Sequence, residues 1–290
     1  MGFSFERLAG PLLAFALSLT VLVPAPTPAT AQEAEFDDVP YDPSQWVIGR
    51  RLNESEFRYC VDHRDPDWEV AGAIADAIAG ALLLQPVRYD VETRIVIEDI
   101  TRVYRVMLEH CDVHMGFKLI PEMYPPWITL TRAYYQAEYV FVTDDPNIAS
   151  LADLAPGRPI GATGGTMAHI RLVHYLTTLP AASRWPAFPF GTNALTLESL
   201  LNGTVDVALV WAPDLWAKRQ TDPAYANLHV IDPSPQQPVG YGVGALMLSN
   251  ETFLRSAVDE AIAALSADGT IASILEQYGF LARAPGPGDQ

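Results

Sequence analysis

Basic side chains are scarce: 18 lysines and arginines stand against 35 aspartates and glutamates, a formal net charge of −17. A phosphate backbone is gripped by concentrated Lys and Arg, so nucleic acid is excluded as a partner class. The same balance permits a basic protein partner or a cationic ligand, and it equally suits a soluble acidic protein. Catalytic signatures are missing too. The chain has no Gly-x-Ser-x-Gly elbow, no His-Glu-x-x-His, no phosphate loop ending in Gly-Lys-Ser/Thr and no carboxylate pair brought together by spacing. A non-catalytic protein without a cofactor is the expectation; an enzyme whose groups the fold assembles is the alternative.

Long apolar runs are absent after the first, Leu12 to Val23. Arg7 precedes that run and Ala29-Thr30-Ala31 follows it, the pattern of a cleavable export signal over 1–31. The run is short for a membrane span, with an uncleaved anchor as the alternative. The segment carries only Glu6 and Arg7, so the mature charge is unchanged. Cysteine is limited to Cys60 and Cys111. In an exported chain such a pair points to a disulfide; the alternative is two buried thiols on neighbouring strands.

What is present is a 49% hydrophobic chain of 290 residues, enough for one or two domains. Residues 32–56 read as an acidic, irregular extension. Phe57 to Asp62 alternates like a strand. A helix is expected from Glu69 to Leu83, with Ile74, Ile78 and Leu82 on one face and Gln85-Pro86 as its stop. Val87 to Val91 reads as a strand, Glu98 to Glu109 as a helix and Val113 to Phe117 as a strand. The β-α-β-α-β order predicts a parallel sheet with right-handed crossovers. Glu138 to Thr143, rich in β-branched and aromatic residues, reads as a buried strand.

A second unit follows. Its strands are expected at Pro159 to Gly161, Phe188 to Phe190, Val205 to Trp211 and His229 to Ile231. Its helices are Met167 to Leu179, with Ile170, Val173 and Leu176 inward, Thr196 to Leu201, and Pro213 to Gln220, where Trp216 reads as core. A proline-rich linker, 233–238, leads to a Gly-rich strand, Val239 to Leu248. Two helices close the chain, with Asn250 and Thr270 as expected caps. The tail from 284 to 290 is expected to be disordered. The strands near 137–143 and 239–248 would be crossings between two lobes, 57–142 plus 239–283 and 143–238.

Several motifs in this order resemble the periplasmic solute-binding proteins of family 3, which include the polar amino-acid-binding proteins of ABC transporters. They are Cys111-Asp-Val-His-Met-Gly116 with Ile120-Pro-Glu122, Thr131-Arg-Ala-Tyr-Tyr135, Ile160-Gly-Ala-Thr-Gly-Gly-Thr166, Asn202-Gly-Thr-Val-Asp-Val207 and Ala267 to Gly279. The resemblance implies a type II periplasmic binding fold: two parallel-sheet lobes joined by two hinge strands and closing on a ligand. It also departs from the family. Amino-acid binders carry an Arg after the Pro-Glu pair to hold the α-carboxylate, where this chain has Met123. They carry an Asp at the end of the Val-Asp strand to hold the α-ammonium, where this chain has Trp211. Losing both removes the charge-assisted anchors of an amino acid. Lys118 supplies either a new cation or a solvated rim lysine.

The cysteines, Tyr124-Pro-Pro-Trp-Ile-Thr-Leu-Thr-Arg132 and Trp211-Ala-Pro-Asp-Leu-Trp216 resemble a narrower branch. These are the solute-binding-like proteins associated with quinoprotein alcohol dehydrogenases, the J-type proteins of methanol oxidation, including its lanthanide-dependent branch. That resemblance implies a periplasmic accessory of a pyrroloquinoline-quinone dehydrogenase; a transporter binding protein for a small polar solute other than a standard amino acid is the alternative. The implied cleft residues are Asp62, His63 and Trp68 from the first loop, and Phe117, Lys118, Met123 and Tyr124 from the next. Thr163, Gly164, Gly165, Thr166 and Trp211 come from the second unit.

Two constellations carry competing readings. Thr163 to Thr166 opens a helix, whose backbone N–H groups suit an anion or carbonyl; the alternative is a turn that needs glycine. Asp62, His63, Asp65, Asp67 and Glu69 crowd one loop. A hard cation is the minor reading, and Asp67 and Glu69 as helix cap and dipole partners the major one. His110, Cys111 and His114 make a weak metal set, because Cys111 and His114 point to opposite faces of a strand.

Overall fold

The structure is a computed structural model that describes residues 55–92 and 100–286. The export signal, the acidic extension up to residue 54, the start of the second expected helix and the last four residues of the tail lie outside them. Ala284, from the tail expected to be disordered, packs against the core.

The first half runs β1 (Glu56–Asp62), α1 (Trp68–Ala81), β2 (Gln85–Val91), α2 (Ile100–Glu109) and β3 (Val113–Lys118). Parallel pairing of β1 with both β2 and β3 gives the neighbour order β2-β1-β3. β1 is central and almost wholly buried, whereas β2 is the edge and mostly exposed. That explains Pro86: an edge strand tolerates a residue with no N–H, so Pro86 lies inside β2 rather than stopping α1. The helix already ends at Ala81, and Leu83 just beyond it turns left-handed at φ 57° and lies exposed. Val70, Ile74 and Ile78 form the buried row of α1, while Leu82 is its C-cap.

After β4 (Ile128–Leu130), the long β5 (Tyr135–Thr143) carries the chain into the second half. It starts three residues before the expected strand because Tyr135 to Tyr139 pair antiparallel with β10 (Val239–Leu248). The second half repeats the first: β6 (Ile160–Thr163), α3 (Met167–Thr178), β7 (Ala187–Phe190), α4 (Asn193–Leu201) and β8 (Val207–Trp211), with order β7-β6-β8. α5 (Ala212–Thr221) follows β8 at once, and β9 (His229–Ile231) pairs with β5. β10 then returns to the first half, antiparallel to β3, β4 and β5, and α6 (Thr252–Ala267) and α7 (Thr270–Gln277) pack there against α1. Among the described residues one curled, mixed sheet therefore runs through both halves, parallel within each and antiparallel along β10 and β5, the two crossings.

Three local expectations are corrected. Ile170 and Val173 of α3 are 50% and 40% exposed; with Leu176, inward as expected, the helix buries Ala168 and Leu172, a row spaced four residues apart whose small first member lets it sit close. Glu251, not Asn250, precedes α6, and its side chain makes no cap bond. Gly269, left-handed at φ 85°, precedes α7, while the Asp268 carboxylate accepts from the Thr270 amide. Trp216 is core, as its helical position implied.

The Cys60–Cys111 disulfide is formed, with Cα atoms 5.6 Å apart, tying β1 to the entry of β3. Its 51-residue separation constrains the unfolded chain strongly, about 4 kcal/mol on the loop-entropy account.

Candidate functional site

In a sheet of order 2-1-3, loops leaving adjacent inner strands part to opposite faces and open a crevice at the carboxyl ends. Here that happens twice, beyond β1 and β3 and beyond β6 and β8. The loops meet where β3 ends at Lys118 and β8 ends at Trp211.

The backbone at Lys118 is held firmly. Gly116 sits at φ 95°, and a Cβ there would meet the Asp65 carboxylate at 2.8 Å, so the position needs glycine on both counts. Its N–H donates to the Tyr134 hydroxyl at 2.8 Å. The Tyr124 hydroxyl donates to the Lys118 carbonyl at 2.7 Å. Phe117 packs edge-on to His114 and to Tyr124. Lys118 Nζ then reaches across to the second half. It lies 4.1 Å from the Trp211 ring centroid, 5.2 Å from that of Tyr139 and 3.3 Å from the Tyr139 hydroxyl. Burial pushes this ammonium below its ordinary range, while Asp214, Asp67 and Asp65 pull it back up.

Two carboxylates near it were not singled out by sequence as cleft residues. Asp67 occupies the N-cap position of α1 but makes no cap bond. Its side chain turns inward, 2% exposed, and accepts from the Tyr135 hydroxyl at 2.8 Å. Burial raises its affinity for a proton, and burial likewise raises that of Tyr135 and Tyr134. This corrects its expected role as a helix cap. Asp214 lies in the first turn of α5 and accepts from Asn193 Nδ2 at 2.8 Å. Burial pushes it up to about 6, against the pull of Lys118 and the Asn193 bond. Tyr139 is pushed up to about 12, chiefly by burial. Clusters of perturbed groups in a crevice are where function concentrates.

The second half supplies a hydroxyl network. Thr163 Oγ1 donates to Asn193 Oδ1 at 2.6 Å, and that oxygen also receives the Trp211 amide at 3.4 Å. Thr166 caps α3, accepting from the His169 amide and donating to the Thr163 carbonyl. Its side chain also approaches the Tyr139 hydroxyl. Gly165 is left-handed at φ 78°, as the turn reading required, and the Gly164 amide is already bonded to the Phe190 carbonyl. Trp211 packs against Tyr139 and Tyr241, with ring centroids 5.2 and 6.2 Å apart.

The structure thus brings Lys118, Thr163, Thr166 and Trp211 together. Asp62, His63 and Trp68 join a cluster at the ends of β1 and β2. Asp62 accepts several hydrogen bonds from Arg64, His63 meets Asp90 at 2.7 Å, and Trp68 stacks on His63 with the Arg88 guanidinium 5.0 Å from its ring centroid. Met123, at the position where the family resemblance calls for an anchoring Arg, is 62% exposed. Among the described residues no group of three His, Cys, Asp or Glu is placed to hold a metal. On the face of β5 opposite Tyr139, a groove of about 470 Å³ is lined by Gln136, Glu138 and Arg283 among others; it lies away from Lys118.

No protein-family model and no curated protein matches the chain. Solved structures do. The second substrate-binding domain of GlnP from Lactococcus lactis, in an open conformation, is 20% identical with a TM-score of 0.57, covering 79% of this chain and 98% of that one. A substrate-binding domain from Streptococcus pneumoniae is 18% identical with a TM-score of 0.57, covering 76% of this chain and 99% of that one. An ancestral cationic amino acid solute-binding protein is 16% identical with a TM-score of 0.54, covering 77% of this chain and 95% of that one. The fold is that of a type II periplasmic binding protein. These neighbours are binding proteins rather than enzymes. No helix among the described residues is long and apolar enough to cross a membrane.

Proposed function

We propose that this chain is a non-catalytic solute-binding protein that acts outside the cytoplasm and holds a small polar solute, other than a standard amino acid, between the ends of β3 and β8. The carrying observation is the meeting of Lys118 from the first half with Trp211 and Tyr139 from the rest of the fold, in the electrostatic field of Asp214. A closing crevice with aromatic walls and a few convergent polar groups is the usual form of a small-ligand site. The lobes would be 57–142 plus 239–283 and 143–238, moving about β5 and β10. The named neighbours are substrate-binding domains, which supports the solute-binding reading. Met123 and Trp211, in place of the family's Arg and Asp, speak against an amino-acid zwitterion.

A second reading is the accessory of a quinoprotein alcohol dehydrogenase. It is favoured by the Lys118 side chain, which lies over the Trp211 and Tyr139 rings where a ligand would sit, and by the exposed Met123 on the Pro121-Glu122-Met123 turn. Affinity capture of the tagged protein from its own compartment, followed by native mass spectrometry, separates the two. A stoichiometric small molecule without a dehydrogenase supports the first reading; a co-purifying dehydrogenase with an empty crevice overturns it.

A further inference from the structure

The cation in this site belongs to the chain itself. Lys118 Nζ lies over Trp211 and Tyr139 within the distance at which an aromatic face attracts a positive charge. Tyr241 packs against Trp211, with ring centroids 6.2 Å apart, and extends the aromatic wall. The ionisable groups around that ammonium are acidic: Asp214, Asp67 and Asp65 all act on it. A site shaped to grip a carboxylate through Lys118 would set further hydrogen-bond donors beside it. The neighbouring donors point elsewhere instead. Asn193 Nδ2 serves Asp214, Thr163 Oγ1 serves Asn193 and the Tyr135 hydroxyl serves Asp67. What faces the ammonium is the Trp211 and Tyr139 rings and the Tyr139 hydroxyl, which accepts from it at 3.3 Å, within the field of the three carboxylates; faces and acceptors of this kind suit a cation.

We propose that Trp211, Tyr139 and Asp214 form a binding site for a compact organic ammonium, and that the Lys118 side chain occupies this site until such a solute displaces it. The inference rests on the solute-binding reading above and gives it a ligand class: alkylammonium or methylated ammonium compounds, with no carboxylate required. Lys118 is suited to be displaced. Its stem is flexible and its strongly hydrated ammonium is held largely out of water. An incoming methylated ammonium brings the same charge with less hydration to lose, and its methyl groups contact the ring faces.

The test is calorimetric titration of the full chain and of Lys118→Ala with tetramethylammonium, n-propylammonium, acetate and urea, each tried separately. Lys118→Ala should bind one or both ammonium ions about tenfold more tightly than the wild type, and adding Trp211→Leu should abolish the gain. Lys118→Met, which keeps the stem and loses the charge, serves as the folded control if the alanine variant fails to fold. In the unaltered protein, the Lys118 side-chain NMR signals, shifted by the Trp211 ring, should move toward ordinary lysine values as tetramethylammonium is added. Ammonium ions that bind no variant and leave those signals in place would overturn the inference. So would acetate or urea binding that is lost in Lys118→Ala, but in that case the solute-binding reading survives with a different ligand class. Failure of the solute-binding reading itself is seen separately, as a crevice that never co-purifies with a small molecule.

Discussion

The two halves share one plan and fill it with different chemistry. Each is a β-α-β-α-β unit whose strands lie in the order 2-1-3. In the first, the inner strands are tied covalently by Cys60–Cys111. In the second, closeness does that job: a Cβ on Gly161 would meet Phe190, Val205 and Thr196 side chains at 3.0 to 3.3 Å. The strand ends differ as well. The first half delivers Asp65, Asp67 and Lys118; the second delivers Thr163, Thr166 and Trp211, with Asp214 behind them. The scaffold fixes where loops open, and the residues on them decide what the opening holds.

Removing the covalent tie should separate the halves most. Cys60→Ser with Cys111→Ser is expected to cost about 4 kcal/mol in denaturant unfolding. Hydrogen exchange should rise in β1 and β3 more than in β6 and β8.

Next in size is a pH effect seated in the second half. The folded Asp214 titrates near 6, above its ordinary value of 3.8. A carboxyl raised by folding favours the folded state below its unfolded value, and that contribution is lost as pH rises through about 6. The wild type should therefore lose stability between about pH 4 and 6 relative to Asp214→Asn, by roughly 2 to 3 kcal/mol. Urea titrations of both proteins across that range check the sign. Equal pH dependence in the two would remove Asp214 from the account.

Gly161→Val tests packing where no disulfide helps, and should cost about 2 kcal/mol through overpacking. Thr163→Val, which leaves Asn193 short of one donor, should cost about 1 kcal/mol, read from the same unfolding curves.

The plan of both halves was legible because apolar periodicity and turn residues are local signals. The disulfide was legible because two cysteines behind an expected export signal leave one pairing. The strand ending at Trp211 followed from its apolar run, whereas the strands expected to end at Phe117 and Gly161 run on to Lys118 and Thr163, residues that only the family resemblance had marked for the cleft. The partners of those residues were not legible. Asp67 looked like a cap because it stands before a helix, yet it bonds to Tyr135, sixty-eight positions away. Asp214 looked like an ordinary acid in a first helical turn, and only the fold sets it near Lys118. Tyr139 carried one usable signal: on β5 it alternates with Glu138 and Val140, so it had to face the other side of the sheet. The inner side of α3 was misread because Ala168 is too small to register as a core residue by hydrophobicity.

The central claim is that the halves meet through Lys118 and Trp211. A double-mutant cycle on unfolding free energy, with Lys118→Met, Trp211→Leu and the pair, measures that meeting directly. The account predicts a coupling of about 1 to 2 kcal/mol, as expected for a cation over an aromatic face out of water. Additivity within about 0.5 kcal/mol would contradict it.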